Sequence, residues 1–302
     1  MIFSITILGS GAAVPTSQRY PTAQALQIDG RCYLIDCAEG TQMQLRRYKI
    51  KLQQVRAVFI SHLHGDHVFG LPGLLSSFSM LGRTEPLDVF GPPNMEEWIS
   101  VHLKYFTPPE FPLHFHTLTS KEPQLIYEDK RITVTCLPLK HRIPTWGFLF
   151  CEKEKLLNIR KDMIDFYQIP LRDISGIKAG GDFYTGDGKL ISNAQLTHPP
   201  VKPRTYAYCS DTVYFDDLSR LIKNVDLLYH EATYGNGEKS MSKETFHSTA
   251  EEAAHVALAA NARKLVIGHF SSRYKNITTL LEEARSIFPN TVAAGDGDEF
   301  RV

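Results

Sequence analysis

Five cysteines (Cys32, Cys37, Cys136, Cys151 and Cys209) are scattered along the chain and never spaced as C-x-x-C. An odd, dispersed set of this kind reads as reduced thiols in a cytosolic protein rather than as a disulfide framework. Neither sign of charge predominates: 33 Lys plus Arg balance 33 Asp plus Glu. No global basic field therefore advertises a nucleic-acid partner, and any basic surface must be local. No apolar run approaches transmembrane length. The opening "MIFSITILGSGAAVP" lacks the basic n-region of a signal peptide and reads better as a first strand. Internal repeats and low-complexity tracts are missing too. These absences point to a cytoplasmic globular protein without membrane partners. At 302 residues it can form one large domain or two small ones around a sizeable core.

What is present alternates between strand and helix patterns. "IFSITIL" is β-rich and breaks at a Gly/Pro/Ser loop. "AQALQIDGRCYLIDC" places two β segments around Asp29-Gly30, a hairpin signal. "EGTQMQLRRY" reads helical, "VRAVFIS" is a compact strand, and "VFGLPGLLSSFSML" predicts a largely buried helix. "RITVTCLPLKH" is a strand ending in His141. "TAEEAAHVALAANA" is a patterned helix with Thr249 as N-cap and Glu251 and Glu252 in its first turn. Strands interleaved with helices, with hairpins in each half, suggest a mixed β-sandwich covered by helices.

The densest chemistry is "ISHLHGDH", residues 60–67. At an extended strand end, positions i and i+2 point the same way, so His62 and His64 can face one ion. Asp66 and His67 lie past Gly65, where the chain turns toward a helix, and aim at a neighbouring point. Four donors in six residues are too many for one tetrahedral ion, and two ions sharing a bridging group fit better. His141, Asp211 and His269 each sit at the mouth of an apolar strand, where scaffolds display functional side chains. Asp211 has two oxygens with which to bridge. Taken singly, each has a competing reading as a solvated loop histidine or a turn-forming aspartate. Imidazole and carboxylate without thiolate suit zinc, with manganese or iron as alternatives. Two ions about 3.5–4 Å apart can hold a hydroxide nucleophile and stabilise a phosphoryl or acyl transition state. Hydrolysis is the expected reaction.

His62, His64, Asp66 and His67 form the H-x-H-x-D-H signature, and the chain resembles the metallo-β-lactamase superfamily. Within it the sequence is similar to the ribonuclease Z family of tRNA 3′-processing endonucleases. The likeness runs nearly end to end, through "LGSGAAVPT", "IDCAEGTQ", "FISHLHGDHVFGLPGLL", "CSDT", "HEAT", "HSTA" and "GHFSSRY". The resemblance implies an α+β fold: an αββα sandwich of two mixed β-sheets flanked by helices. It implies one zinc on His62, His64 and His141 and a second on Asp66, His67 and His269, with Asp211 as bridge. Asp66 would also accept the proton of the attacking water. Glu231 would orient His247, which would protonate or stabilise the leaving oxygen. His230 is read either as part of that motif or as a buried, hydrogen-bonded histidine. Asp36 and Glu39 are expected to orient metal ligands, with helix capping as the other reading for Asp36. Metal-hydroxide attack on phosphorus would leave a 3′-hydroxyl on the tRNA and a 5′-phosphate on the trailer.

The resemblance also implies a single domain over 1–302 that carries a protruding tRNA-binding arm at 152–195. That interval is polar and turn-rich, and its seven acidic residues cancel seven basic ones. The glycine-proline and lysine-rich segments common in bacterial arms are replaced by "IPLRDISGIKAGGDFYTGDGK". Arg172, Lys178 and Lys189 are the candidate phosphate contacts, each with a plain solvated-surface reading beside it. A homodimer follows from the resemblance alone. The alternative enzyme reading is a small-molecule phosphodiesterase or arylsulfatase of the same superfamily. A non-catalytic scaffold is the reading from another class, and the complete ligand set stands against it.

Overall fold

The computed structural model describes residues 3–105, 109–200 and 202–302. Ile2, which the sequence assigns to the first strand, lies outside them. β1 (Phe3–Gly9) is buried along its whole length and pairs antiparallel with β2 (Ala23–Ile28), which turns back into β3 (Arg31–Ile35). Asp29 and Gly30 at that turn have φ of 45° and 81°, as a two-residue hairpin with right-handed strand twist requires. After α1 (Thr41–Arg47) come three strands parallel to β3: β4 (Val55–Phe59), β5 (Leu87–Gly91) and β6 (Leu113–Thr117). α2 (Gly65–Val68), α3 (Leu71–Met80) and α4 (Met95–Leu103) fill the crossovers. α3 buries Leu71, Leu74, Leu75 and Phe78 as one stripe, whereas Met80 at its end is exposed. The expected largely buried helix is thus buried on one face only, because a helix lying on a sheet offers it a single face.

The second sheet begins with β7 (Gln124–Glu128), β8 (Ile132–Pro138) and β9 (Trp146–Glu152). Residues Lys130–Ile132 and Cys151–Arg204 form a separate compact unit. It contains α5 (Lys161–Phe166), α6 (Leu171–Lys178) and α7 (Asn193–Leu196). Two short antiparallel ladders complete it: β10 (Asn158–Ile159) with β13 (Thr197–His198), and β11 (Phe183–Tyr184) with β12 (Leu190–Ile191). Ile169, Ile177, Phe183, Ile191 and Leu196 make its core. Its two ends are clasped together. Glu152 N–H donates to Arg204 O, and the Arg204 guanidinium grips the Glu152 carboxylate through Nε at 2.7 Å and Nη2 at 2.8 Å.

Four parallel strands follow, β14 (Thr205–Cys209), β15 (Leu227–Glu231), β16 (Leu265–Gly268) and β17 (Thr291–Ala293). Between them lie α8 (Leu218–Leu221), α9 (Lys239–Thr245), α10 (Ala250–Ala259) and α11 (Thr278–Ile287), and β18 (Glu299–Arg301) returns to pair with β1. Two seven-stranded sheets result, ordered β18-β1-β2-β3-β4-β5-β6 and β17-β16-β15-β14-β9-β8-β7. Phe59 of the first sheet meets Tyr127, Phe148 and Phe150 of the second through edge-on and tilted ring contacts. This is the expected mixed sandwich with helices on its flanks. Thr249 caps α10 as the sequence indicated: its Oγ1 accepts from Glu252 N at 3.2 Å while Glu252 Oε2 accepts from Thr249 N at 3.0 Å, a capping box. Among the described residues, no helix is long and apolar enough to cross a membrane.

Candidate metal centre

β4 runs straight into the histidine motif, and β14, β15 and β16 end just before or at Asp211, Glu231 and His269. The sandwich therefore brings donors that are distant in sequence to one edge. Asp36, buried and at a left-handed φ of 56°, organises the first of them. Its Oδ1 accepts from Ser61 N at 2.7 Å. Its Oδ2 faces Ser61 Oγ at 2.9 Å, His67 Nδ1 at 2.7 Å and Tyr208 OH at 2.6 Å. Asp36 thus fixes the His67 tautomer and turns Nε2 toward the centre. It caps no helix, since the N-cap position of α1 is Gly40 and no side chain caps it. Glu39 is exposed on the cavity wall.

The ring nitrogens converge as two groups. His62 Nε2 lies 3.0 Å from His64 Nδ1, which lies 3.3 Å from His141 Nε2. His67 Nε2 lies 3.2 Å from His269 Nε2, and Asp66 Oδ2 lies 3.4 Å from the latter. Asp211 stands between them. Its Oδ2 faces His62 at 3.4 Å and His141 at 3.9 Å, while its Oδ1 faces His67 at 3.4 Å and His269 at 3.3 Å. The remote nitrogens are held: His141 Nδ1 by Phe246 O at 2.7 Å and His269 Nδ1 by Thr233 Oγ1 at 2.9 Å. The inward nitrogens thus crowd against one another and against the Asp211 carboxylate, and Asp211 Oδ1, though buried, has no hydrogen-bond partner. Such crowding of acceptors is what a cation satisfies, so the cluster is able to hold metal ions.

Electrostatics say the same. Burial, with His67 adding to it, depresses the His62 pKa to about 4, so this histidine is a neutral donor at pH 7. His67 is pushed well up, because Asp211, Asp36 and Asp66 outweigh its burial. Asp211 is held well below the usual carboxylate range against its own burial by His269, His67, His247 and His62. This positive demand is what a bound cation would meet in their place.

Beside the cluster, Glu231 is a buried carboxylate with every lone pair engaged. Oε1 accepts from Thr212 N and Ser248 N and faces His247 Nδ1 at 3.0 Å; Oε2 accepts from Thr233 N and Oγ1. His247 loses some basicity to burial but gains more from Glu231 and Asp211, and its pKa rises to about 9. Its ring lines a cavity of about 590 Å³ that also includes His64, Asp66, His141, Asp211 and His269. His247 also lies near Asp211 and His269 as a potential donor, but its Nδ1 is committed to Glu231. His230 points elsewhere: it is wholly buried, its Nδ1 bonds Glu231 O at 2.7 Å, and it does not line the cavity.

Arg172, Lys178 and Lys189 belong to the second unit. Arg172 is 85% exposed and 3.9 Å from Asp173, Lys178 sits in the last turn of α6, and Lys189 is exposed. Sequence reasoning did not find the Ala13 N–H, which donates to Asp66 Oδ2 at 2.6 Å. A backbone amide carries no residue-type signal; only the left-handed φ of Ala13, 58°, marks its loop as specially shaped.

Comparison with known proteins adds lineage to this geometry. A family model described as "Anti-Pycsar protein Apyc1" matches residues 3–104, the third of the chain that carries the histidine motif. A ribonuclease Z of Parabacteroides distasonis is 46% identical over 301 residues, covering 99% of each sequence. One from Bacteroides fragilis is 45% identical over 293 residues, 97% of this chain and 96% of that protein. Among solved structures, the short form of human tRNase Z aligns with a TM-score of 0.71 at 27% identity over 98% of both chains. The metallo-β-lactamase fold protein YhfI of Bacillus subtilis aligns at 0.72 over 100% of both, with 18% identity, a likeness of fold.

Proposed function

The chain belongs to the ribonuclease Z family, and from that premise we propose that it is a zinc-dependent endoribonuclease removing the 3′ trailer from tRNA precursors. The observation that carries the reading is Asp211, whose two oxygens face two separate histidine groups while the Glu231–His247 pair opens onto the same cavity. His62 Nε2, His64 Nδ1, His141 Nε2 and Asp211 Oδ2 would hold one ion, and Asp66, His67, His269 and Asp211 Oδ1 the other. Their nitrogen and oxygen donors suit zinc, with manganese as substitute. When bound, the ions would acidify water and neutralise charge at the phosphodiester.

The remaining work falls to side chains. Asp66, steadied by the Ala13 N–H, is placed to take a proton from water entering the cavity. His247 holds a proton at neutral pH because Glu231 stabilises its charge, and its free edge can deliver that proton to the departing 3′ oxygen of the tRNA. The products are a tRNA with a 3′-hydroxyl and a trailer with a 5′-phosphate. The second unit serves as the arm that holds tRNA, with Arg172, Lys178 and Lys189 as phosphate contacts. The working form is a cytoplasmic homodimer. Incubating the purified protein with a 3′-extended precursor tRNA and mapping both ends of the cut tests the assignment. A 3′-phosphate on the tRNA, or no cut from protein with two zinc ions per chain, would sink it.

A further inference from the structure

Among the described residues lining the metal-centre cavity, Arg142 is the one lysine or arginine. It follows His141 directly, and the two residues grip the end of α9 together. His141 Nδ1 donates to Phe246 O at 2.7 Å, and Arg142 Nη2 donates to Glu244 O at 2.7 Å. The tether restrains a long, flexible side chain at the cavity mouth but uses only one of the five N–H donors of a guanidinium. Other arginines nearby are spent on the protein itself. Arg273 lies over the Tyr234 ring with Nη2 at 2.9 Å from Met241 Sδ, and Arg19 lies over Phe270 with Nη1 bonded to Tyr274 O at 2.8 Å.

The same cavity wall carries Glu39, Asp66 and Asp211, so an entering phosphodiester meets negative charge as well as the metal centre. A planar, forked donor already held by one hydrogen bond suits a phosphate oxygen and loses little freedom on binding it. We propose that Arg142 binds a non-bridging phosphate oxygen of the RNA strand lying in the cavity, and that its tether to Glu244 O sets the guanidinium for that contact. This inference rests on the RNA-cleaving reading for its substrate but not for its phosphate chemistry.

The test uses holoenzyme carrying R142A, R142K or R142Q, with R273A as a control outside the cavity. The first measurement is the inhibition constant of inorganic phosphate against turnover of bis(p-nitrophenyl) phosphate. It should rise roughly 10-fold or more in R142A and R142Q, less in R142K, and stay within about twofold in R273A. The second is the salt dependence of KM for precursor tRNA, whose log–log slope should fall by about one in R142A as one phosphate contact is lost. R142Q is the decisive variant because an amide can still donate to Glu244 O but carries no charge. Wild-type phosphate inhibition in R142Q, or in R142A with normal metal content and melting temperature, overturns the proposal and leaves only the tether. If the wild-type protein hydrolyses the small diester but leaves precursor tRNA uncut, the RNA reading fails, and phosphate inhibition still decides Arg142.

Discussion

The catalytic sandwich and the unit at 151–204 solve opposite problems. The sandwich buries its polar residues and pairs them: Asp36 and Glu231 are fully buried, and each satisfies several donors. Such networks are stiff, because each broken hydrogen bond would strand a buried group. The second unit rests on a small core of Ile169, Ile177, Phe183, Ile191 and Leu196. It leaves Leu171 86%, Phe166 74% and Tyr184 66% exposed. Its ion pair Arg172–Asp173 is solvent-borne, worth little by itself. A site that must hold donors to within a fraction of an ångström needs the first kind of structure. A surface that accommodates a large partner can use the second.

Experiments can break this contrast. The largest effect is expected for H64A, which removes one donor from a preorganised set: cleavage should fall at least about 10³-fold while circular dichroism stays native. Residual activity within tenfold of wild type would show that the donor set is not the reaction centre. Deleting residues 155–190 should abolish precursor-tRNA cleavage yet leave turnover of bis(p-nitrophenyl) phosphate within a few-fold of wild type, about the scatter of a remote change. Equal retention of both activities would dissociate the unit from RNA binding. E231Q should lower kcat about 10²-fold with KM and metal content little changed, because it loosens the positively charged His247 without touching a ligand. A rise in KM alone would contradict that role.

The smallest effect concerns the clasp at the base of the second unit. Arg204, Lys155 and the Arg204 amide more than offset the burial of Glu152 and hold its carboxyl at about 2, against an ordinary 4.5. A depressed folded pKa stabilises the native state above pH 4.5, and that contribution fades as pH falls from 4.5 to 2. E152Q should therefore cost about 1–3 kcal/mol at pH 7, read by urea melts. The difference between the variants should shrink steadily below pH 4.5. A constant difference across that range would mean the clasp acts through packing rather than charge.

Much of the sandwich was legible because its signals are local. The Asp29-Gly30 hairpin, the Thr249 cap and the strand ahead of His62 each depend on neighbours within a few positions. The segment around α3 was less so, since an apolar run does not say how many of its faces a sheet will cover. In the candidate centre, residue types marked His62, His64, Asp66, His67, His141, Asp211 and His269. The partners of Asp36 did not show in the chain, because Ser61 and His67 reach it from the end of the neighbouring strand β4 and Tyr208 from the second sheet. Nor did the amide of Ala13, since main-chain donors are the same in every residue.

The chain by itself determined the chemistry on offer: imidazoles and carboxylates without thiolates, set at the ends of β-branched strands, with no net charge to bias the surface. It did so because side-chain type and local periodicity act over a few residues. Only the tertiary structure decided which oxygen of Asp211 faces which histidines, that Glu231 is saturated and so hands its charge to His247, and that His230 next to it is turned away. Those outcomes depend on sheet register and on the meeting of loops up to 202 residues apart, as between His67 and His269. An alternation of one residue along β15 separates a working glutamate from a buried histidine, and packing alone chooses which face is which.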